Sequence, residues 1–232
     1  MHVVVTGASQ GIGAAIARAF ARRPDTSLSL LARNETNLEK ISVECRDVGA
    51  EATWHACDLT WDDQVEAVAD AVLECYGPPA VLVNNAGKFR PSTVLEMDGA
   101  SLRQQLHENI VSAHLVTQAF LPSMIEAHEG HLFFLGSVAS LQAYPGAAGY
   151  CAAKHGLLGL ARAVREETRT HGLRVTTVLP GATLTPSWAG VDIPEHRFMP
   201  AEDVAQAIVD CTALGPRTVV EELLLRPQPG DI

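Results

Sequence analysis

The stretch Thr6-Gly7-Ala8-Ser9-Gln10-Gly11-Ile12-Gly13 decides how this chain is read. It follows an apolar run, Val3-Val5, and opens a helical pattern over Ile12-Arg23. Gly7 permits a tight turn out of a strand. Gly11 lets backbone approach a pyrophosphate with no Cβ in the way, and Gly13 allows close packing of helix on sheet. A helix beginning here offers free N–H groups and the positive end of its dipole to phosphate. Ser9, Gln10 and Ile12 belong to the same loop and are expected to border that phosphate. The alternative is a glycine-rich turn that binds nothing. The strand-loop-helix setting favours phosphate, because that is where the mechanism needs the glycines.

The same alternation continues outward. Short apolar runs at Val3-Val5, Leu28-Leu31, Thr53-His55, Val81-Val83, His131-Leu135, Val175-Leu179 and Val219-Leu225 read as strands, with the little alternation expected of strands buried on both faces. Helical patterns lie between them at Ile12-Arg23, Glu35-Val48, Asp62-Tyr76, Ser101-Ala127, Tyr150-His171 and Ala201-Thr212. Such alternation implies an α/β fold, a doubly wound Rossmann domain with a seven-stranded parallel sheet and helices on both faces. No linker or repeat interrupts it, so one domain is expected over residues 1–232.

The bulk numbers narrow the function. With 47% hydrophobic and 19% charged residues, the 232-residue chain is an ordinary globular one. A net charge of −10 argues against nucleic acid as a partner. Five cysteines, odd in number and without a CxxC pair, suggest neither a disulfide framework nor zinc. No apolar run approaches the roughly 20 residues of a membrane span, and the glycine loop begins too early to leave room for a signal peptide. A cytoplasmic protein is expected. His128-Glu129-Gly130-His131 reads as a surface turn and not as a metal site, since its spacing is not that of HExxH.

The end of the second strand bears on nucleotide choice. An acidic residue there binds the 2′-hydroxyl of NAD, whereas a basic one accommodates the 2′-phosphate of NADP. The sequence has Ala32-Arg33-Asn34. NADP(H) is therefore preferred over NAD(H), with a solvated surface Arg as the alternative.

Further along, Ser137 follows a strand, and Tyr150 and Lys154 come four residues apart on a helix. Residues i and i+4 share a helical face, so the phenol and the ammonium point the same way. Carbonyl reduction needs hydride at carbon and a proton at the developing alkoxide. A nicotinamide gives the first. A tyrosine whose pKa is drawn down from about 10 by a neighbouring ammonium is expected to give the second. Ser137 can hold the substrate oxygen beside Tyr150.

Taken in order, the TGxxxGxG loop, Ser137 and Tyr150-x-x-x-Lys154 resemble the short-chain dehydrogenase/reductase family, over nearly the whole chain. The resemblance implies further roles. Asn109 matches a fourth catalytic position that anchors a water on the proton path, and Lys154 would also hold ribose hydroxyls. Asp58 and Leu59 match the adenine contact, with a turn or N-cap Asp as the other reading. In Asn84-Asn85-Ala86-Gly87, Asn84 is mainly structural, while Asn85, Ala86 and Gly87 border the cofactor. Pro180-Gly181 with Thr183 and Thr185 is similar to the element that contacts the nicotinamide carboxamide. Ala153 and Gln10 depart from common family residues. A small-molecule carbonyl or alcohol substrate is implied, lined by candidates Phe89, Val138, Gln142, Tyr144, Leu184 and Trp188, with Pro186-Pro200 as a lid. Relatives of two kinds fit, 3-oxoacyl carrier-protein reductases and carbonyl reductases. A homodimer or homotetramer through the helices at Ser101-Ala127 and Tyr150-His171 is implied as well. A catalytically silent NADP-binding sensor or scaffold is the other class of reading.

Overall fold

A computed structural model describes residues 1–230; the last two residues of the expected domain lie outside the described part. Seven strands form one sheet: β1 (His2–Thr6), β2 (Ser27–Ala32), β3 (Glu51–Ala56), β4 (Val81–Asn84), β5 (Gly130–Leu135), β6 (Leu173–Pro180) and β7 (Glu222–Leu225). Their order is β3-β2-β1-β4-β5-β6-β7, and every pairing is parallel. The winding reverses between β1 and β4. In sheets of this kind a ligand crevice opens at that point, beyond the carboxyl ends of the strands.

The helices are α1 (Gly11–Ala21), α2 (Glu35–Asp47), α3 (Asp62–Tyr76), α4 (Gly99–Leu106), α5 (Ser112–Ala127), α6 (Ala148–Thr168) and α7 (Ala201–Thr212). Two apolar layers hold them to the sheet. Ile16, Phe20, Leu38, Val204 and Ile208 fill the side of α1, α2 and α7. Val72, Phe120, Met124 and Leu157 fill the side of α3, α5 and α6. β1 is buried at all five positions, as a central parallel strand must be.

Three expectations need correction. The helix read over Ser101-Ala127 is not continuous, because a π-turn at His107–Val111 separates α4 from α5. The last strand is only Glu222–Leu225 and half exposed, since it is an edge strand with no neighbour beyond it. His131 is no surface residue. It lies in β5, 1% exposed, with Nε2 at 2.7 Å from Thr176 Oγ1 and its ring stacked on Phe133.

His131 and His2 make acid a destabiliser. Burial is the main cause that pulls His131 from 6.5 to about 3 and His2 from 6.5 to about 4. The folded values lie below the unfolded one, so the neutral rings stabilise fully above pH 6.5 and that stability is lost as pH falls through the window below it. Each ring costs about 1.4 kcal/mol per pH unit there. Urea unfolding between about pH 7.5 and about pH 5 should show a falling midpoint. A flat midpoint would mean that neither ring is buried neutral.

Candidate active site

The glycine loop leaves β1 through Gly7 at φ 63° and enters α1 through Gly11 at φ 57°. Both are left-handed values that glycine adopts without strain. A Cβ on Gly13 would stand 2.3 Å from Gly7 O and 2.5 Å from Asn85 Nδ2. Gln10 is the N-cap of α1 but gives no side-chain cap, so its first-turn N–H groups have no capping side chain of their own. Asn85 braces the loop from below: Nδ2 donates to Thr6 O at 2.9 Å and to Gly7 O at 3.3 Å. Thr6 Oγ1 in turn accepts from the N–H groups of Asn85 and Ala86 at 2.9 and 3.0 Å. The amide of Asn85 is thus spent on the protein's own backbone. Asn84, 2% exposed, donates to Thr117 Oγ1 at 3.0 Å.

At the end of β2, Ala32 is buried and Arg33 is exposed. Asn34 accepts from Asn37 N–H at 2.9 Å and caps α2. Asp58 forms a turn, accepting from the N–H and hydroxyl of Thr60 at 3.1 and 2.8 Å; the N-cap of α3 is Trp61. Arg33 Nη1 lies 3.9 Å from Asp58 Oδ2. Both groups line a cavity of about 310 Å³, whose far wall is α4 with Arg103, Gln104 and His107. Leu59 is buried beside this cavity's Asp58 and Thr60.

Tyr150 and Lys154 share one face of α6. Lys154 Nζ lies 5.6 Å from the centre of the Tyr150 ring and donates to Leu135 O at 2.6 Å, at the end of β5. Ser137 sits at N-cap of the 3-10 turn Val138–Ser140, accepting from Ala139 N–H at 3.1 Å, and also hydrogen-bonds Tyr150. Tyr150 is half-buried in the cleft, and Lys154 is 4% exposed.

The electrostatics run against expectation. Burial pushes the Tyr150 hydroxyl up to about 12, and the Ser137 hydrogen bond offsets only part of that. Burial likewise pulls Lys154 down to about 8. The anticipated lowering of the tyrosine is absent because the lysine loses much of its own preference for charge in the same dry pocket.

Asn109 explains the π-turn. It is fully buried, and its Nδ2 donates to Gln105 O and Lys88 O, both at 3.0 Å, while Oδ1 accepts from Lys88 N–H at 3.1 Å. A side chain that takes the carbonyl of Gln105 competes with the helix's own ladder. Gly87 ties this group to the lysine: a Cβ there would meet Asn109 Oδ1 at 2.7 Å and Lys154 Nζ at 3.5 Å. Ala86 precedes it, half-buried.

On the opposite side, β6 ends at Pro180, paired with Leu225. Thr183 is 4% exposed and donates to Gly181 O at 3.0 Å, so its hydroxyl serves the turn. Thr185 closes on the glycine loop, its Cγ2 lying 3.3 Å from where a Gly11 Cβ would be. The segment beyond holds two 3-10 turns, Pro186–Trp188 and Glu195–Arg197, with Trp188 edge-on to Phe198 at 4.9 Å. Phe89 stands edge-on to Tyr150 at 5.1 Å, and Tyr144 packs with Tyr150 on Ala139, Ala147 and Cys151. Val138 is buried, whereas Leu184 is 40% exposed. Gln142 Nε2 hydrogen-bonds the Tyr144 hydroxyl.

Sequence reasoning gave Arg90, Gln105 and Glu108 no role. They meet between a loop and a helix some 15 to 18 residues on, where no periodicity gives a signal.

Residues 1–195 match the family described as short chain dehydrogenase. This chain belongs to the short-chain dehydrogenases. Among the family's curated members, the sepiapterin reductase of Chlorobaculum tepidum is 38% identical, the alignment covering 99% of this chain and 97% of that one. Two solved short-chain dehydrogenases superpose closely. The alcohol dehydrogenase of the archaeon Thermococcus sibiricus, complexed with 5-hydroxy-NADP, gives a TM-score of 0.91 at 30% identity, covering 98% of this chain and 96% of that one. A metagenomic short-chain oxidoreductase in complex with NADP gives 0.87 at 34% identity, covering 98% and 97%. Among the described residues of this short-chain dehydrogenase, no helix is long and apolar enough to cross a membrane, and no cluster of three His, Cys, Asp or Glu could hold a metal.

Proposed function

We propose that this chain is an NADP(H)-dependent oxidoreductase, one domain in all, that interconverts a ketone or aldehyde and the corresponding alcohol. One observation carries the reading: the Tyr150 hydroxyl, hydrogen-bonded to Ser137, lies beside Lys154 on the cleft into which the glycine loop opens. The loop fits a dinucleotide, since a Cβ on Gly11 or Gly13 would fill the close approach that its backbone makes and α1 has no capping side chain. When bound, the nicotinamide supplies hydride to the carbonyl carbon.

The protein's own groups do the rest. The backbone of Gly7, Ser9, Gln10, Gly11, Ile12 and Gly13 holds the pyrophosphate. Arg33 and Asn34 take the 2′-phosphate, and Asp58 and Leu59 the adenine. Ala86 and Gly87 border the ribose, with Asn85 bracing the loop. Pro180 and Gly181 lead the chain to Thr183 and Thr185, which face the carboxamide. Ser137 holds the substrate oxygen, and Tyr150 gives it a proton during reduction. A phenol at about 12 is protonated at neutral pH, the state that reduction needs. Lys154 holds ribose hydroxyls and, where charged, favours phenolate in the reverse direction. The side chain of Asn109 is committed to Lys88 and Gln105, so a water on the proton path would be anchored by its main-chain carbonyl.

The cleft wall of Phe89, Tyr144 and Trp188, with Gln142 as an amide, suits a medium-sized apolar or aromatic ketone. The likeness to sepiapterin reductase adds a pterin ketone to the candidates. Pairing of two or four copies through α4, α5 and α6 belongs to the same reading.

The test is consumption of NADPH and of NADH against ketones, aldehydes, 3-oxoacyl thioesters and a pterin ketone, run with wild type and Arg33→Ala. A charged hydrogen bond contributes roughly 1.5–3 kcal/mol. Arg33→Ala should therefore weaken NADPH by roughly tenfold or more and leave NADH unchanged. Equal losses for both nucleotides would remove Arg33 from the 2′-phosphate.

A further inference from the structure

The segment from Lys88 to Ser92 crosses the mouth of the site as a strap fastened at both ends. On one side, the backbone of Lys88 is held through both N–H and C=O by Asn109 at 3.1 and 3.0 Å. Arg90 O accepts from Gln105 Nε2 at 2.7 Å, and Gln105 is 2% exposed. The Arg90 guanidinium grips Glu108 with both arms, Nε to Oε2 at 3.0 Å and Nη2 to Oε1 at 2.7 Å, against a carboxylate side chain only 11% exposed. Gln104 Nε2 adds a third hydrogen bond to Glu108 at 3.2 Å. On the other side, Ser92 N–H donates to Gly146 O at 2.8 Å and pairs with Ala147, the residue that opens α6.

Phe89 stands between these fastenings. Its ring meets Tyr150 edge-on at 5.1 Å, and 44% of the residue is exposed. A large apolar ring left open to water while its backbone is fixed by six hydrogen bonds of strap and helix is a preorganised surface. A rigid aromatic face binds planar conjugated groups at little entropic cost. A bidentate Arg–carboxylate pair gives the directional hold that such a surface needs, and a lysine cannot reproduce its fork.

We propose that Phe89 is the specificity-determining face of the site, selecting ketones whose carbonyl is conjugated to a planar ring, and that Arg90 and Glu108 are the positioning pair that aims it. This rests on the carbonyl-reductase reading above and names the substrate class for it.

The test compares two ketones of equal size, acetophenone and cyclohexyl methyl ketone, by kcat/KM with NADPH. Wild type prefers the aryl ketone, and Phe89→Tyr keeps that preference. Phe89→Leu lowers the aryl to cyclohexyl ratio about tenfold, the scale of one lost ring contact with its burial, while NADPH affinity is unchanged. Arg90→Met raises KM for the aryl ketone more than it lowers kcat, and Arg90→Lys restores only part. Thermal melting of each variant separates this from general loosening, because a purely structural role would move the melting midpoint and leave the ratio alone. Turnover of both ketones at an unchanged ratio in Phe89→Leu overturns the role of Phe89 and leaves the reductase reading standing. An NADPH-bound wild type that reduces neither ketone nor any carbonyl of the wider panel takes both down together.

Discussion

Gly13→Ala is expected to abolish useful NADPH binding. The added methyl would sit 2.3 Å from Gly7 O and 2.5 Å from Asn85 Nδ2, and neither can give way cheaply. Gly7 O belongs to a turn at φ 63°, and the Asn85 amide is the brace between that turn and β1. Overpacking of this kind costs about 1–3 kcal/mol of stability. The nucleotide loses more. If the loop shifts so that two charge-assisted contacts to phosphate fail, affinity falls by more than about a hundredfold. Gly159→Ala in α6 is the matched control, since a Cβ there has nothing within 4 Å and helical Gly→Ala is neutral or stabilising. Calorimetric titration with NADPH and urea unfolding of both variants check this. Unchanged affinity in Gly13→Ala would show that the loop does not hold the phosphates.

The fold was legible because its signal is local. A short apolar run, a glycine loop and a helix repeat often enough that a wound parallel sheet is the arrangement that buries them all, and the seven strands are found where the runs lie. What escaped was set by contacts distant in sequence. Nothing around Leu106-His107-Glu108-Asn109 marks a π-turn; it arises because Asn109 reaches Lys88, 21 residues back. The lone apolar character of Val219-Leu225 could not tell an edge strand from a central one, since that depends on which strand comes last in the order. At the site, spacing alone put Tyr150 and Lys154 on one face. It could not foresee how deeply Lys154 is buried against Leu135, and that burial reverses the expected sign of the tyrosine's shift.

Tyr150→Phe carries the second large effect. The variant keeps the ring that packs on Ala139, Ala147 and Cys151 and against Phe89, so the fold and the cleft wall should persist. It removes the one group able to give a proton to an oxygen held by Ser137. Lys154 cannot substitute, because its Nζ is tied to Leu135 O behind the ring. General acid catalysis contributes typically 10²–10⁴-fold. A loss of about 10³ in kcat is expected, with NADPH affinity nearly unchanged and the melting midpoint close to that of wild type.

The most direct measurement follows the transferred atom. Wild type and Tyr150→Phe are each incubated with NADPH deuterated at the transferable position and with whichever ketone of the panel wild type consumes. The alcohol is then analysed by mass spectrometry. One deuterium on the carbinol carbon from wild type, and about a thousandth of that product from Tyr150→Phe, is the predicted result. Alcohol without deuterium, or labelled alcohol formed equally well by both proteins, would contradict the assignment of this cleft as a hydride-transfer site with Tyr150 as its acid.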